Sequence, residues 1–370
     1  MPDDLAPARP APGPLSGSPL RTAVRRIAGP VLWPTATSMR RIALAGVVAN
    51  AAIMSTGAAV RLSSSGLGCP DWPRCTKASI VASHTAGQST LNTWIEFGNR
   101  LLNFPLVAVA AIVLIAAWRY RPPGAQGRRK DLLWLAAALP AGVVAQAVLG
   151  GIVVLAKLNP VWVSIHFVVS TAIVGAAVML HARCSEGAGP ATPVVRREIR
   201  VLGGALVAVV GLMVAAGTVV TGTGPLAGSA DAARYHLPLI GVTQFHADIG
   251  WLMAGITTGL MAGLLFSGAP RRAVLRGWIF VGLLLVQGAV GYAQYFSGLP
   301  AGLVWVHVTV AVVVWIAVLR LFFALRDRGP AETGPVGVTA DGAVGEPVAG
   351  GTAGAGTTAA GTTAVPGPGA

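Results

Sequence analysis

The chain has 370 residues, of which 54% are apolar and only 11% charged, against about 25% charged in an ordinary soluble domain. With a mean hydropathy of +0.68, this excludes a soluble globular enzyme, whose surface needs far more charge, and a disordered chain, which would be poor in apolar residues. The net charge of +14 does not mark a nucleic-acid partner, because the basic residues lie in short clusters between long apolar runs, as in an integral membrane protein.

In chain order, residues 1–39 are rich in Pro, Gly and Ala and read as a disordered cytoplasmic leader. The first apolar run starts too late and is too long for a cleaved signal peptide. Eight runs of about 20 residues follow, near 41–60, 95–117, 132–155, 160–182, 199–221, 243–266, 274–295 and 301–325. Each is long enough to cross a bilayer as a helix. Residues 329–370 are mostly Gly, Ala, Thr and Pro and read as a second disordered tail. The expected fold is therefore an all-α integral membrane protein. It has an N-terminal four-helix bundle at 40–185 and a C-terminal one at 186–328. Of the 27 basic residues, 21 fall on one side of this arrangement and 6 on the other. The positive-inside bias puts both termini in the cytoplasm.

The first outside loop carries Arg61-Leu62-Ser63-Ser64-Ser65-Gly66-Leu67-Gly68-Cys69-Pro70-Asp71-Trp72-Pro73-Arg74-Cys75. Cys69 and Cys75 lie in an extracytoplasmic loop, where disulfides persist. They read either as a structural staple or as a redox-active, substrate-handling pair. Glu96 follows at the outer start of the second pass, either as a charge favoured by the helix dipole or as a carboxylate able to accept a proton or stabilise positive charge. Glu96 is three residues before Asn99 and so is expected on the same face. Arg61 and Arg100 read either as ligands for acidic groups of a bound molecule or as snorkelling side chains. Cys184, at the inner end of the fourth pass, reads as an inert thiol.

The sequence repeats at the level of four passes. Gln146, Gly150 and His166 recur as Gln287, Gly291 and His307, each displaced by 141 positions. Phe97-Gly98-Asn99 sits where Gln244-Phe245-His246 sits in the second half, and Gly57-Ala58-Ala59-Val60 resembles Gly217-Thr218-Val219-Val220. Each half has an even number of passes, so the repeat is parallel, with an axis along the membrane normal. Of six histidines, His84, His181 and His236 read as solvated or interfacial. His166, His246 and His307 lie a turn or two inside the outer ends of even-numbered passes, where an ionisable group is a functional candidate by default. Two imidazoles facing each other, His246 and His307, suit bis-His ligation of a haem iron. Zinc fits less well, with no Cys or carboxylate at ligand spacing. Asn99 replaces His246 in the first half, which leaves His166 as a single axial ligand and an open face.

The loop pattern Arg-Leu-x-x-Ser-Gly-Leu-Gly-Cys-Pro-Asp-Trp-Pro-x-Cys, the Glu-Phe-Gly-x-Arg stretch and the outer histidines of passes four, six and eight resemble the haem A synthase family, over about residues 40–328. The resemblance implies an oxidoreductase of a bacterial cell membrane that converts the C8 methyl of its substrate haem O to the formyl group of haem A, for terminal oxidase assembly. It implies a haem b cofactor on His246 and His307, His166 as the substrate-side ligand, Glu96 as the essential acid, and Cys69 with Cys75 as the loop pair. Asn99, Arg100 and Arg61 would border the substrate site. Asn99 departs from the family's common His, and the third outside loop, 222–242, lacks the Cys pair of some members. The electron acceptor and oligomeric state stay open, contact with the enzyme that makes haem O is a further expectation, and lipid is the expected surroundings. Two rival readings are a di-haem electron-transfer protein, which Asn99 argues against, and a haem transporter or chaperone, which has no need of Glu96.

Overall fold

A computed structural model describes residues 28–82, 89–122 and 127–330, which belong to one compact unit. The expectations for most of the leader, for His84 and for the tail beyond residue 330 lie outside the described residues. Nine helices of 12 residues or more occur among those described: α1 (Ala36–Leu62), α2 (Thr90–Leu101), α3 (Asn103–Arg119), α4 (Lys130–Leu155), α5 (Pro160–Arg183), α6 (Arg197–Thr223), α7 (Leu239–Phe266), α8 (Arg271–Phe296) and α9 (Ala301–Ala324). With α2 and α3 taken together as Thr90–Arg119, they make eight helical segments long and apolar enough to cross a membrane. The chain is thus an all-α protein of the membrane-spanning kind.

Local chemistry sets the helix ends. Thr35 and Ser38 form a capping box at the start of α1. Asn159 caps α5 by accepting from the Val161 N–H, and Pro160 occupies the first turn, where its missing N–H costs nothing. The second pass differs from expectation, because it is two helices broken at Leu102. Pro105 explains the break, since it has no N–H for the Leu101 carbonyl and its ring crowds that position. Pro140 lies within α4 without ending it.

The four passes of each half contact one another in a ring, and the halves meet in a symmetric pattern. α1 packs on α9, α6 packs on α5, and α5 packs on α9 across the centre. Under the repeat, α1 corresponds to α6 and α5 to α9, so the first two contacts exchange and the third maps onto itself, as a two-fold axis demands. One apolar core runs through both halves and includes Met54, Val174, Leu206 and Val318. Short polar links cross the seam, as is common between membrane helices. Ser55 and Thr309 hydroxyls lie 2.8 Å apart, Trp305 donates to the Ser55 carbonyl at 3.0 Å, and Trp315 to the Thr171 carbonyl at 2.9 Å.

Backbone geometry repeats with the sequence. The turn before α5 places Lys157 and Leu158 at φ 52° and 59°, and the turn before α9, 141 positions on, places Gly298 and Leu299 at 77° and 60°. A non-glycine residue pays about 1–2 kcal/mol there, and Lys157 bears that cost where Gly298 does not. At the opposite end of the bundle, strands β1 (Thr192–Pro193) and β2 (Arg326–Asp327) pair antiparallel and tie the segment between the halves to the end of α9.

Candidate functional site

Polar side chains collect toward the end of the bundle opposite β1 and β2, at repeat-related positions. In the second half the His246 and His307 ring centroids are 6.4 Å apart at an interplanar angle of 62°. Each ring rests where a glycine leaves room. A methyl on Gly217 would lie 3.2 Å from His246 Cε1, and one on Gly291 would lie 3.1 Å from His307 Cε1. Gln287, buried, places its amide nitrogen 3.1 Å from His307 Nε2. His246 Nδ1, His307 Nδ1 and Gln287 Oε1 are buried without a hydrogen-bond partner. Native proteins leave few such atoms, so a cluster of them marks a place for a polar or metal-bearing ligand.

The first half has the same frame with different furniture. Gly150 sits under His166, with 3.4 Å from an added methyl to Cε1. Gln146 donates to the His166 carbonyl at 3.0 Å and bonds Ser170, so its amide serves the backbone where Gln287 serves an imidazole. Asn99 Oδ1, Gln146 Oε1 and His166 Nδ1 are buried and unpartnered. Gly57, the counterpart of Gly217, has nothing within 4 Å of an added methyl. The shorter Asn99 leaves open the space that a His ring fills in the other half.

Glu96, Arg100 and the first outside loop form a separate, fully bonded set. The Cys69 N–H donates to Glu96 Oε2 at 2.7 Å, and Arg100 donates to Glu96 Oε1 at 2.6 Å. Arg100 also donates to the carbonyls of Cys69 at 2.7 Å, Asp71 at 2.9 Å and Arg74 at 3.1 Å. Three loop carbonyls and one carboxylate satisfy the guanidinium, so it neither snorkels nor stands free for a ligand. The Cys69 and Cys75 sulfurs are at bonding distance, 1.96 Å. The Trp72 ring lies on Gly151 of α4, and Gly68 packs so tightly on Asn92 that a methyl there would overlap its carbonyl oxygen. Glu96 is 6% exposed. Its carboxylate turns to this loop, and so the structure does not join it to the unpartnered set at Asn99 by any hydrogen bond. Arg61 reaches across the halves, donating to the carbonyls of Leu226 at 3.0 Å and Thr221 at 2.9 Å. The Gly66 N–H donates to the Gly228 carbonyl at 2.9 Å beside it, so the two large outside loops are stitched together.

Two remaining expectations change or gain detail. His181 is buried, at 4% exposure, and not solvated. Arg320 lies 2.6 Å from its Nδ1, a tertiary contact that position along the chain does not announce. His236 is exposed, as expected. Cys184 is buried, and burial pushes its thiol up to about 12, so it holds its proton at neutral pH. Among the described residues, no three of His, Cys, Asp and Glu converge, which leaves no donor set for a tetrahedral zinc. Two opposed imidazoles can instead ligate one ion from opposite sides. Sequence reasoning missed the Arg100 and Arg61 carbonyl contacts, because a bond to a backbone atom leaves no residue signature at the acceptor.

The family model for the cytochrome oxidase assembly proteins (COX15-CtaA) matches residues 40–319. The chain is 29% identical over 110 residues to a protein named "Heme A synthase" from Geobacillus thermodenitrificans and 32% identical over 110 residues to one of the same name from Geobacillus kaustophilus (strain HTA426). Each match covers 29% of this chain and 30% of the relative, so the similarity spans under a third of either relative's length.

Proposed function

The chain belongs to the cytochrome oxidase assembly protein family, and on that premise we propose that it is a haem A synthase, an oxidoreductase acting on a CH group of haem O. The observation that carries the reading is the asymmetry of two repeat-related outer sites. One presents a facing imidazole pair, His246 and His307, and the other a single imidazole, His166, with Asn99 at the sequence position that His246 holds in the second half, both with buried unpartnered atoms. A saturated pair suits electron transfer, and an open side suits a substrate. The test is expression in a membrane that makes haem O but no haem A, followed by extraction and identification of the haems. Haem A is the expected product. Haem O alone would overturn the reading in favour of a di-haem electron-transfer protein or a haem carrier.

Haem b would be held by His246 and His307, and the fit is supported by distance. The two imidazoles lie close enough to hold one group between them, with both Nδ1 atoms buried and unpartnered. The rings stand at 6.4 Å. When bound there, haem b supplies one-electron transfer. The chain's residues do the rest. Gly217 and Gly291 admit the rings, and Gln287 packs beside the His307 imidazole.

His166 is assigned to the iron of haem O and Asn99 to the open face. The C8 methyl is oxidised in two-electron steps through a hydroxymethyl stage, with water attacking a carbocation-like centre. Glu96 is assigned the charge at that centre. Arg100 and the Cys69 N–H hold both carboxylate oxygens, which fixes the orientation of the group that stabilises the charge or takes the proton. Arg61 and Arg100 then border the site by holding its loops, with Cys69 and Cys75 as a disulfide staple. The positive-inside bias supports a reading with both termini in the cytoplasm, and the membrane is taken to be that of a bacterial cell. The chain has a membrane-lipid surround, haem O as substrate and an electron acceptor of undefined identity.

A further inference from the structure

A group of arginines at the end of the bundle that carries the basic loops takes no part in the proposed reaction. Arg40 is in the first turns of α1, Arg276 in the first turns of α8, and Arg320 in the last turns of α9, beside His181 in the last turn of α5. Arg276 donates to the Arg320 carbonyl at 2.7 Å, and Arg320 meets His181 Nδ1 at 2.6 Å. The charges of Arg320, Arg40 and Arg276 all act on the His181 ring. Four helices, two from each half, therefore bring three cations to one seam.

Several neighbouring arginines on this face are neutralised. Arg129 and Arg183 share Asp131 at 2.8 and 2.5 Å, Arg183 also meets Glu186 at 3.0 Å, and Arg272 meets Asp327 at 3.0 Å. Arg326 and Arg328 reach Glu186 at 3.7 Å. Among the described residues, Arg40, Arg276 and Arg320 have no carboxylate partner within 4.0 Å. Snorkelling would turn their heads out to water, but Arg276 and Arg320 are half-buried and turned onto a carbonyl and an imidazole. The fold itself does not require them, because 141 positions earlier the repeat has Leu135 and Met179 in their places.

We propose that Arg40, Arg276 and Arg320, with His181 behind them, bind the phosphate of an anionic phospholipid in the seam between α1, α5, α8 and α9. The guanidinium fork matches phosphate oxygens. The group sits where the spans end, level with headgroups, and basic pockets between membrane helices recruit such lipids. A lipid there would bridge the two halves at the end opposite the outer site.

Native mass spectrometry of the full-length protein in detergent tests this, with dioleoylphosphatidylglycerol as probe, dioleoylphosphatidylcholine as the neutral control and inorganic phosphate as the free anion. The wild type is expected to retain one phosphatidylglycerol and no phosphatidylcholine. Arg276→Gln with Arg320→Gln should weaken retention about 30-fold, whereas Arg196→Gln with Arg197→Gln, on the same face, should change it less than about threefold. Equal retention by wild type and the Arg276/Arg320 variant would overturn the proposal, and so would equal losses from the two double variants. Binding of inorganic phosphate without phosphatidylglycerol would overturn the lipid source. Should the glutamine variant fail to fold, Arg276→Lys with Arg320→Lys keeps the charge but loses the fork. It should still bind, at least about threefold more weakly, and undiminished binding would count against the site.

Discussion

The two halves of the molecule share one frame and differ in a few side chains. Gly150 and Gly291 each lie under a histidine, Gln146 and Gln287 each reach toward it, and the turns before α5 and α9 use the same left-handed backbone. The second half adds a facing imidazole, His246, with Gly217 cleared beneath it. The first half has Asn99 in place of that His, an open Gly57, and a long loop pinned by Glu96 and Arg100. The difference teaches how a duplicated bundle divides labour. Glycines and glutamine amides keep the shape of the cradle, and one ring decides whether it grips from two sides or one.

The largest break in this comparison comes from removing the second half's grip. His307→Ala should abolish the low-spin haem b absorbance of the purified protein, since a single imidazole cannot supply both axial positions. An unchanged spectrum would sink the ligand assignment. Next is the reverse change, Asn99→His, which gives the first half the ring it lacks. With Gly57 open, it should add a second low-spin signal and slow haem A formation. Unchanged spectra and turnover would mean that Asn99 does not face the substrate haem.

Glu96→Ala touches the loop that the first half pins with Glu96 and Arg100. It leaves Arg100 without its carboxylate and the Cys69 N–H without an acceptor. The expected loss is about 3 kcal/mol of stability, read by thermal unfolding in detergent, with haem O accumulating while the haem b spectrum persists. Normal haem A output would remove Glu96 from the reaction. The smallest effects compare equivalent glycines. Gly291→Ala brings a methyl to 3.1 Å from His307 and Gly150→Ala to 3.4 Å from His166. The first should cost about 1–2 kcal/mol and the second under about 1, and the reverse order would show that the two cradles are not alike.

Much of this was legible in the residues. Apolar run length gave all eight crossings, and equal 141-residue offsets exposed the repeat, because identical cradles need identical small and polar residues. The break at Leu102 was also written in the chain, in Pro105, but a hydropathy window averages over it. The environment of His181 was not legible, because its partner Arg320 is 139 residues away. Nor were the roles of Arg61 and Arg100, whose partners are mainly backbone carbonyls.

The sequence by itself determined the membrane class, the number of long apolar segments, the repeat and the position of the three histidines along their helices. Each of these depends on composition or spacing along one helix, where 3.6 residues per turn and 1.5 Å per residue are fixed. Only the tertiary structure decided that His246 and His307 face each other at 6.4 Å, that Glu96 is spent on the Cys69 loop, and that Arg276 meets the Arg320 carbonyl while Arg320 meets His181. Those facts depend on how separate helices pack, and packing is a property of surfaces brought together from distant parts of the chain.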